Sequence, residues 1–201
     1  MRRALDLLYR GSGILAAILL AAIGLVVLLQ VGANLIDEIA SWITGEPIGL
    51  VVPSYAEFAG FFLAASSFLA LAYTLRAGGH IRVSLVIQNV VGTGRRLVEL
   101  WCLAAAASLS GYFSFFTIGL VLDSYAFGDL SFGMVPVPLW IPQTLVALGL
   151  VIFTIALIDE FFQVLRGEQP SYEGTEAAEG ATAGDEPESA PARDADVSAG
   201  E

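Results

Sequence analysis

Few side chains in this sequence could do chemistry, and most of them sit beside long apolar runs. Glu57 comes first, because a carboxylate at the edge of a membrane-length apolar stretch is costly and usually functional. Spacing of 3.6 residues puts it on one helix face with Gly60, Ala64, Ser67 and Leu71. One reading makes it a polar anchor between subunits, or a carboxylate beside an ion path. The other is local: Ser54 and Glu57, just after Pro53, have the S-x-x-E spacing of a capping box, which would close the helix start at its positive dipole end.

The remaining candidates are weaker. Glu99 lies near Arg95 and Arg96 and reads as a solvated helix start. Asp159 and Glu160 close the fourth apolar run, where a helix end disfavours negative charge unless Arg166 or a partner compensates. His80 is the only histidine, which excludes ligation of a haem by two histidines of this chain; it reads as a hydrogen-bonding residue at the membrane interface, with a proton relay as the alternative. Cys102 is the only cysteine, so no intrachain disulfide forms; it is expected to be a small buried hydrophobe. No catalytic residue, metal site or cofactor is expected.

The elements that hold these residues follow from composition. Of 201 residues, 56% are hydrophobic and 14% charged, and the mean hydropathy is +0.75, outside the range of soluble domains. The net charge of −11 is concentrated after residue 167, where ten acids face Arg193 alone. The acidity therefore describes a tail and not a binding surface.

Four charge-free stretches, Gly11 to Ile36, Phe58 to Leu75, Leu100 to Leu122 and Leu130 to Ile158, can each supply the ~20 residues that cross a hydrocarbon core about 30 Å thick. Backbone polar groups find no water there, so each crossing must be helical. The expected fold is an all-α integral membrane protein with spans at about 11–36, 55–75, 97–122 and 138–158, forming one domain over 1–167, with a disordered acidic tail over 168–201. The first run is too long for a signal peptide and is expected to stay as a helix.

Arginine sets the orientation. Arg2, Arg3 and Arg10 precede the first span, Arg76, Arg82, Arg95 and Arg96 lie between the second and third, and Arg166 and Arg193 follow the fourth, while the two other loops carry acids only. Both termini are therefore expected in the cytoplasm. Tyr55, Tyr125 and Trp140 at the outer ends, and Tyr9, Tyr73 and Trp101 at the inner ends, fit interfacial girdles. Val83, Val86, Ile87 and Val90 recur at helical spacing and predict a short amphipathic helix in the cytoplasmic interface, with Arg82 near lipid headgroups. Small residues line helices one to three (Ala17, Ala21, Gly24; Gly60, Ala64, Ser67; Ala104, Ser108, Gly111) and would allow close packing within the bundle or against a partner. No span shows the broken helix or mid-membrane charge cluster of an autonomous transporter.

Glu57 to Val83, EFAGFFLAASSFLALAYTLRAGGHIRV, resembles the second helix and following loop of the small permease subunit (DctQ-type) of tripartite ATP-independent periplasmic (TRAP) transporters, with an acid early in the helix and then H-I-R-V at His80, Ile81, Arg82 and Val83. A second similarity is GMVPVPLWIPQTLVALGLVIF, with Pro138, Trp140, Ile141 and Pro142 in a P-x-W-I-P pattern; together the resemblance spans about Asp6 to Arg166. The family often has an aspartate after H-I-R-V, where this chain has Ser84, so any helix-capping or charge role of that acid is altered or taken by the hydroxyl.

The resemblance implies a non-enzymatic small subunit in the bacterial inner membrane. Its partners would be a large DctM-type permease, which it braces, and a periplasmic DctP-type solute-binding protein, in sodium-coupled symport of a small organic acid such as a dicarboxylate. Glu57, His80, Arg82, Trp140 and Pro142 would then be interface or structural motif residues. The alternatives from other classes are a membrane anchor of a redox complex, with quinone near His80 or Arg82, and a self-assembling channel, for which no span offers a polar stripe.

Overall fold

The computed structural model describes residues 2–77 and 93–167. The amphipathic helix expected near 82–90, the acidic tail, His80 and Arg82 lie outside the described residues. Four helices follow in order, α1 (Arg2–Thr44), α2 (Tyr55–Arg76), α3 (Thr93–Phe127) and α4 (Trp140–Arg166), each long and apolar enough to cross a membrane. Among the described residues no strand forms beyond an isolated bridge between Leu130 and Pro138.

α1 has 43 residues and α3 has 35, so at 1.5 Å per residue they run about 65 Å and about 53 Å, well past a hydrocarbon core. They outrun the apolar stretches because nothing in Asp37–Thr44 or Asp123–Phe127 breaks a helix. Each stops where a glycine can take the left-handed conformation, at Gly45 (φ 82°) and Gly128 (φ 67°).

The helices run up and down. Near one end Asp6 of α1 pairs with Arg76 of α2, and Arg96 of α3 reaches the Leu165 carbonyl of α4. At the other end the α3–α4 loop bonds to Ser54 before α2. In cross-section α1 packs on α2, α2 on α4 and α4 on α3, with only a light contact between α1 and α4. α2 and α4 are thus the inner pair.

Each outer helix is held by one stripe. On α1 the buried and half-buried positions include Tyr9, Ser12, Ala16, Leu19, Ile23, Val26 and Gln30; on α3 they include Leu103, Ala107, Ser110, Ser114, Thr117, Val121 and Ser124. Alternating steps of three and four residues are the seam of a left-handed helix pair. The seam of α3 is rich in hydroxyls, and Ser110 and Ser114 both meet Thr154 of α4, at 2.8 and 3.1 Å.

The closest approach in the bundle is at Gly149 of α4, where a Cβ would come within 2.6 Å of the Phe68 backbone carbon on α2. Only glycine lets the two inner backbones meet there. The apolar core lies toward the arginine-bearing end: Tyr9 and Ala16, Leu69, Ala72 and Leu75, Leu103, then Ile152, Ala156, Leu157 and Val164.

Three expectations are overturned here. Cys102 is exposed on the outer face of α3 and is not buried in the bundle. Tyr9 is 2% exposed, in the core and not in the interfacial girdle. Glu99 is 8% exposed, because it falls on the seam of α3 one turn before Leu103 and so is not a solvated helix start. The small-residue lines on α1 (Ala17, Ala21, Gly24) and α2 (Gly60, Ala64, Ser67) face outward and are covered by nothing among the described residues, as are Ala104 and Ser108 of α3.

Candidate functional site

Glu57 sits in the first turn of α2, beneath the α3–α4 loop. That loop folds back on itself: the Ser131 amide donates to the Val137 carbonyl at 2.9 Å, the Leu139 amide to the Asp129 carbonyl at 3.0 Å, and the Val137 amide to Ser131 Oγ at 3.0 Å. Its tip, Phe132 to Pro136, is thereby held over the start of α2.

Gly133 lies against the Glu57 carboxylate, and a Cβ there would run into Glu57 Oε2 and come within 2.6 Å of Ser54 Oγ. Glu57 Oε2 is shielded from solvent without a hydrogen-bond partner among the described residues. An unpaired buried carboxylate oxygen is costly, and the close approach of Gly133 is what shields this one.

The capping box does not form. Ser54 takes a left-handed conformation (φ 56°, ψ 21°) and makes no side-chain cap; its Oγ instead accepts from the Val135 amide at 2.9 Å. A serine in this region is uncommon, and the long-range bond to the loop accounts for its retention. The helix start is closed by the Ser54 carbonyl, which accepts from the Glu57 and Phe58 amides at 3.0 and 3.1 Å. The local reading of Glu57 as a capping residue is therefore corrected: Ser54 holds the loop through the Val135 amide, and the Glu57 carboxylate packs against Gly133.

Trp140 opens α4 and meets Tyr125 of α3 edge to face, with centroids 5.7 Å apart at 86°. Such a pair adds about 0.5–1.5 kcal/mol beyond its buried area and pins the α3–α4 corner. Pro142 is the third residue of α4, where its missing N–H would have no intrahelical partner. Glu57, Trp140 and Pro142 thus belong to one end of the bundle, with Trp140 and Pro142 in the first turn of the helix that follows the loop over Glu57. His80 and Arg82 lie outside the described residues.

At the opposite end, Arg76 gathers charges that the sequence leaves unassigned. Its Nη1 is 3.0 Å from Asp6 and 3.6 Å from Asp159, and its guanidinium lies 5.2 Å from the Tyr9 ring centroid. Asp159 also accepts from Gln163 at 3.1 Å. The acid at the end of α4 is therefore compensated from α2 by Arg76, and Arg166 has no part in it among the described contacts. Arg96 donates to the Leu165 carbonyl at 2.6 Å and closes the α4 terminus.

Sequence reasoning also missed Gln30. It is 7% exposed, donates to Asn34 Oδ1 at 2.8 Å and accepts from the Val52 amide at 2.9 Å, so it ties the segment before α2 to α1. The available signal is a pair of amides, Gln30 and Asn34, one turn apart in an otherwise apolar run.

The family whose model matches this chain is described as tripartite ATP-independent periplasmic transporters, DctQ component, over residues 46–167. No curated protein and no solved structure matches. The matched stretch holds α2, α3, α4 and the loop that grips Glu57, and leaves out α1. It covers more than half of the sequence, and the chain belongs to the DctQ component family of TRAP transporters.

Proposed function

We propose that this protein is the small membrane subunit that braces the large permease of a TRAP transporter, in a complex served by a periplasmic solute-binding protein and driving sodium-coupled uptake of a small carboxylate. It is a multi-pass protein of the bacterial inner membrane with both termini in the cytoplasm, and the arginine distribution supports that orientation.

The observation that carries this reading is the open face of α2. Gly60, Ala64 and Ser67 are exposed although α2 belongs to the inner pair, and small residues there let a partner backbone come close. Glu57, partly exposed at the head of that face, keeps one carboxylate oxygen shielded beneath the loop tip. Beside it the loop tip presents Phe132, fully exposed, and Met134, 79% exposed. A small-residue groove, an apolar rim and one polar anchor make a helix-docking surface. Glu57 and Trp140 belong to this interface, and His80 and Arg82 mark its cytoplasmic side. Transport itself belongs to the large subunit.

Co-expression with the neighbouring genes, purification through a tag on the C-terminal tail and mass spectrometry of the co-purifying chains test this. A stoichiometric, strongly hydrophobic multi-spanning chain is the expected result. Unchanged complex yield after alanine replacement of Glu57, Arg82 and Trp140 together would remove these residues from the interface.

A further inference from the structure

At the arginine-bearing end a cavity of about 560 Å³ opens between the start of α1 and the end of α2, with Arg3, Asp6, Arg10, Tyr73 and Arg76 among its walls. Arg76 is already engaged by Asp6 and Asp159. Arg3 and Arg10 are exposed and make no ion pair among the described residues. Seven residues apart, they stand on one face of α1, about 10 Å along its axis, and leave the cavity with positive charge to spare.

A second groove of about 410 Å³ shares Arg10 and Tyr73 with the first and continues along Gly13, Ile14 and Ala17. These positions follow Arg10 on the same face, at steps of three and four. Beyond Arg10 its lining is apolar, and Tyr73 comes close to α1 because Gly13 has no side chain: a Cβ there would sit 2.9 Å from Tyr73 Cγ. Gly11 begins the charge-free run, so the cationic cavity falls at headgroup depth and the apolar groove at the depth of acyl chains.

We propose that the α1–α2 cleft is a binding site for one anionic phospholipid, its phosphate held by Arg3 and Arg10 and an acyl chain laid along Gly13, Ala17 and Tyr73. A free phosphate would use the cavity alone; the continuous apolar groove is what selects a lipid. The site lies at the arginine-bearing end of α1 and α2, opposite the end where the α3–α4 loop covers Glu57.

The test uses the full chain in nanodiscs of equal parts phosphatidylcholine and phosphatidylglycerol, released into native mass spectrometry. One retained phosphatidylglycerol is expected in preference to phosphatidylcholine. Each arginine near an anionic headgroup is worth about fivefold in occupancy, so the variant Arg3→Gln with Arg10→Gln should retain roughly 20–30-fold less phosphatidylglycerol. Ala17→Leu, which fills the groove on an exposed position, should also lose the lipid, while inorganic phosphate should not displace it from the parent chain. Equal retention in the double arginine variant, or displacement by inorganic phosphate with no effect of Ala17→Leu, would overturn the proposal.

Discussion

The two halves of this bundle are built differently. Toward the arginine-bearing end, Tyr9, Leu69, Ala72, Leu75, Leu103, Ala156, Leu157 and Val164 form a continuous apolar core, closed by Arg76 with its two carboxylates and by Arg96 on the end of α4. Toward the other end the buried side chains are small or polar, among them Gln30, Ser110, Ser114, Ser124 and Ser131, and a backbone loop takes the place of a core by gripping Ser54 and Glu57. The first half resembles a finished domain. The second exposes its small-residue face and an apolar loop tip, as a subunit does where a partner must complete it.

Four variants break or sharpen this contrast. Gly149→Leu, at the crossing of the inner helices, forces the α2 and α4 backbones apart and should cost about 3 kcal/mol or more, read as loss of a cooperative thermal transition in detergent. Arg76→Ala leaves Asp6 and Asp159 without their cation and Tyr9 without its neighbour; with Arg76 24% and Asp6 49% exposed, about 1–2 kcal/mol is expected, seen as a lower thermal midpoint. Ser114→Ala removes one hydroxyl from the α3–α4 seam and should cost about 0.6 kcal/mol, the usual size for such a bond in a membrane protein, measurable by steric trapping. Ala64→Leu, on the open face, should leave the stability of the isolated chain within about 0.5 kcal/mol yet abolish co-purification of the large subunit. A stability loss from Ala64→Leu as large as that from Arg76→Ala would erase the distinction between the halves.

The four helices are legible in the sequence because bilayer thickness and backbone satisfaction leave a long uncharged run one option. The facing of each helix is less so. In soluble proteins an apolar stripe marks the core, but here lipid-facing and protein-facing positions are both apolar, so composition alone puts Cys102 and Tyr9 each on the wrong surface. The seams are visible as hydroxyls and an amide at three- and four-residue steps, Ser12 and Gln30 on α1 and Ser110, Ser114 and Ser124 on α3, once small polar residues are read as the marked class. Glu57 stands out as an unusual carboxylate, but the partner of Ser54 does not, because Ser54 and Val135 are 81 residues apart. Arg76 reads from the sequence as a topology marker alone, since no local spacing links it to Asp6 or Asp159.

Site-specific photocrosslinking in native membranes tests the central claim most directly. A photoreactive residue is placed at Ala64 on the open face of α2, and another at Ile155 on the exposed side of α4 as a control. A heavy adduct with the large permease from position 64, absent when Glu57→Ala is combined with Phe132→Ser, is the predicted result. Lipid adducts alone at position 64, with a permease adduct from position 155, would contradict the account and move the interface to the other side of the bundle.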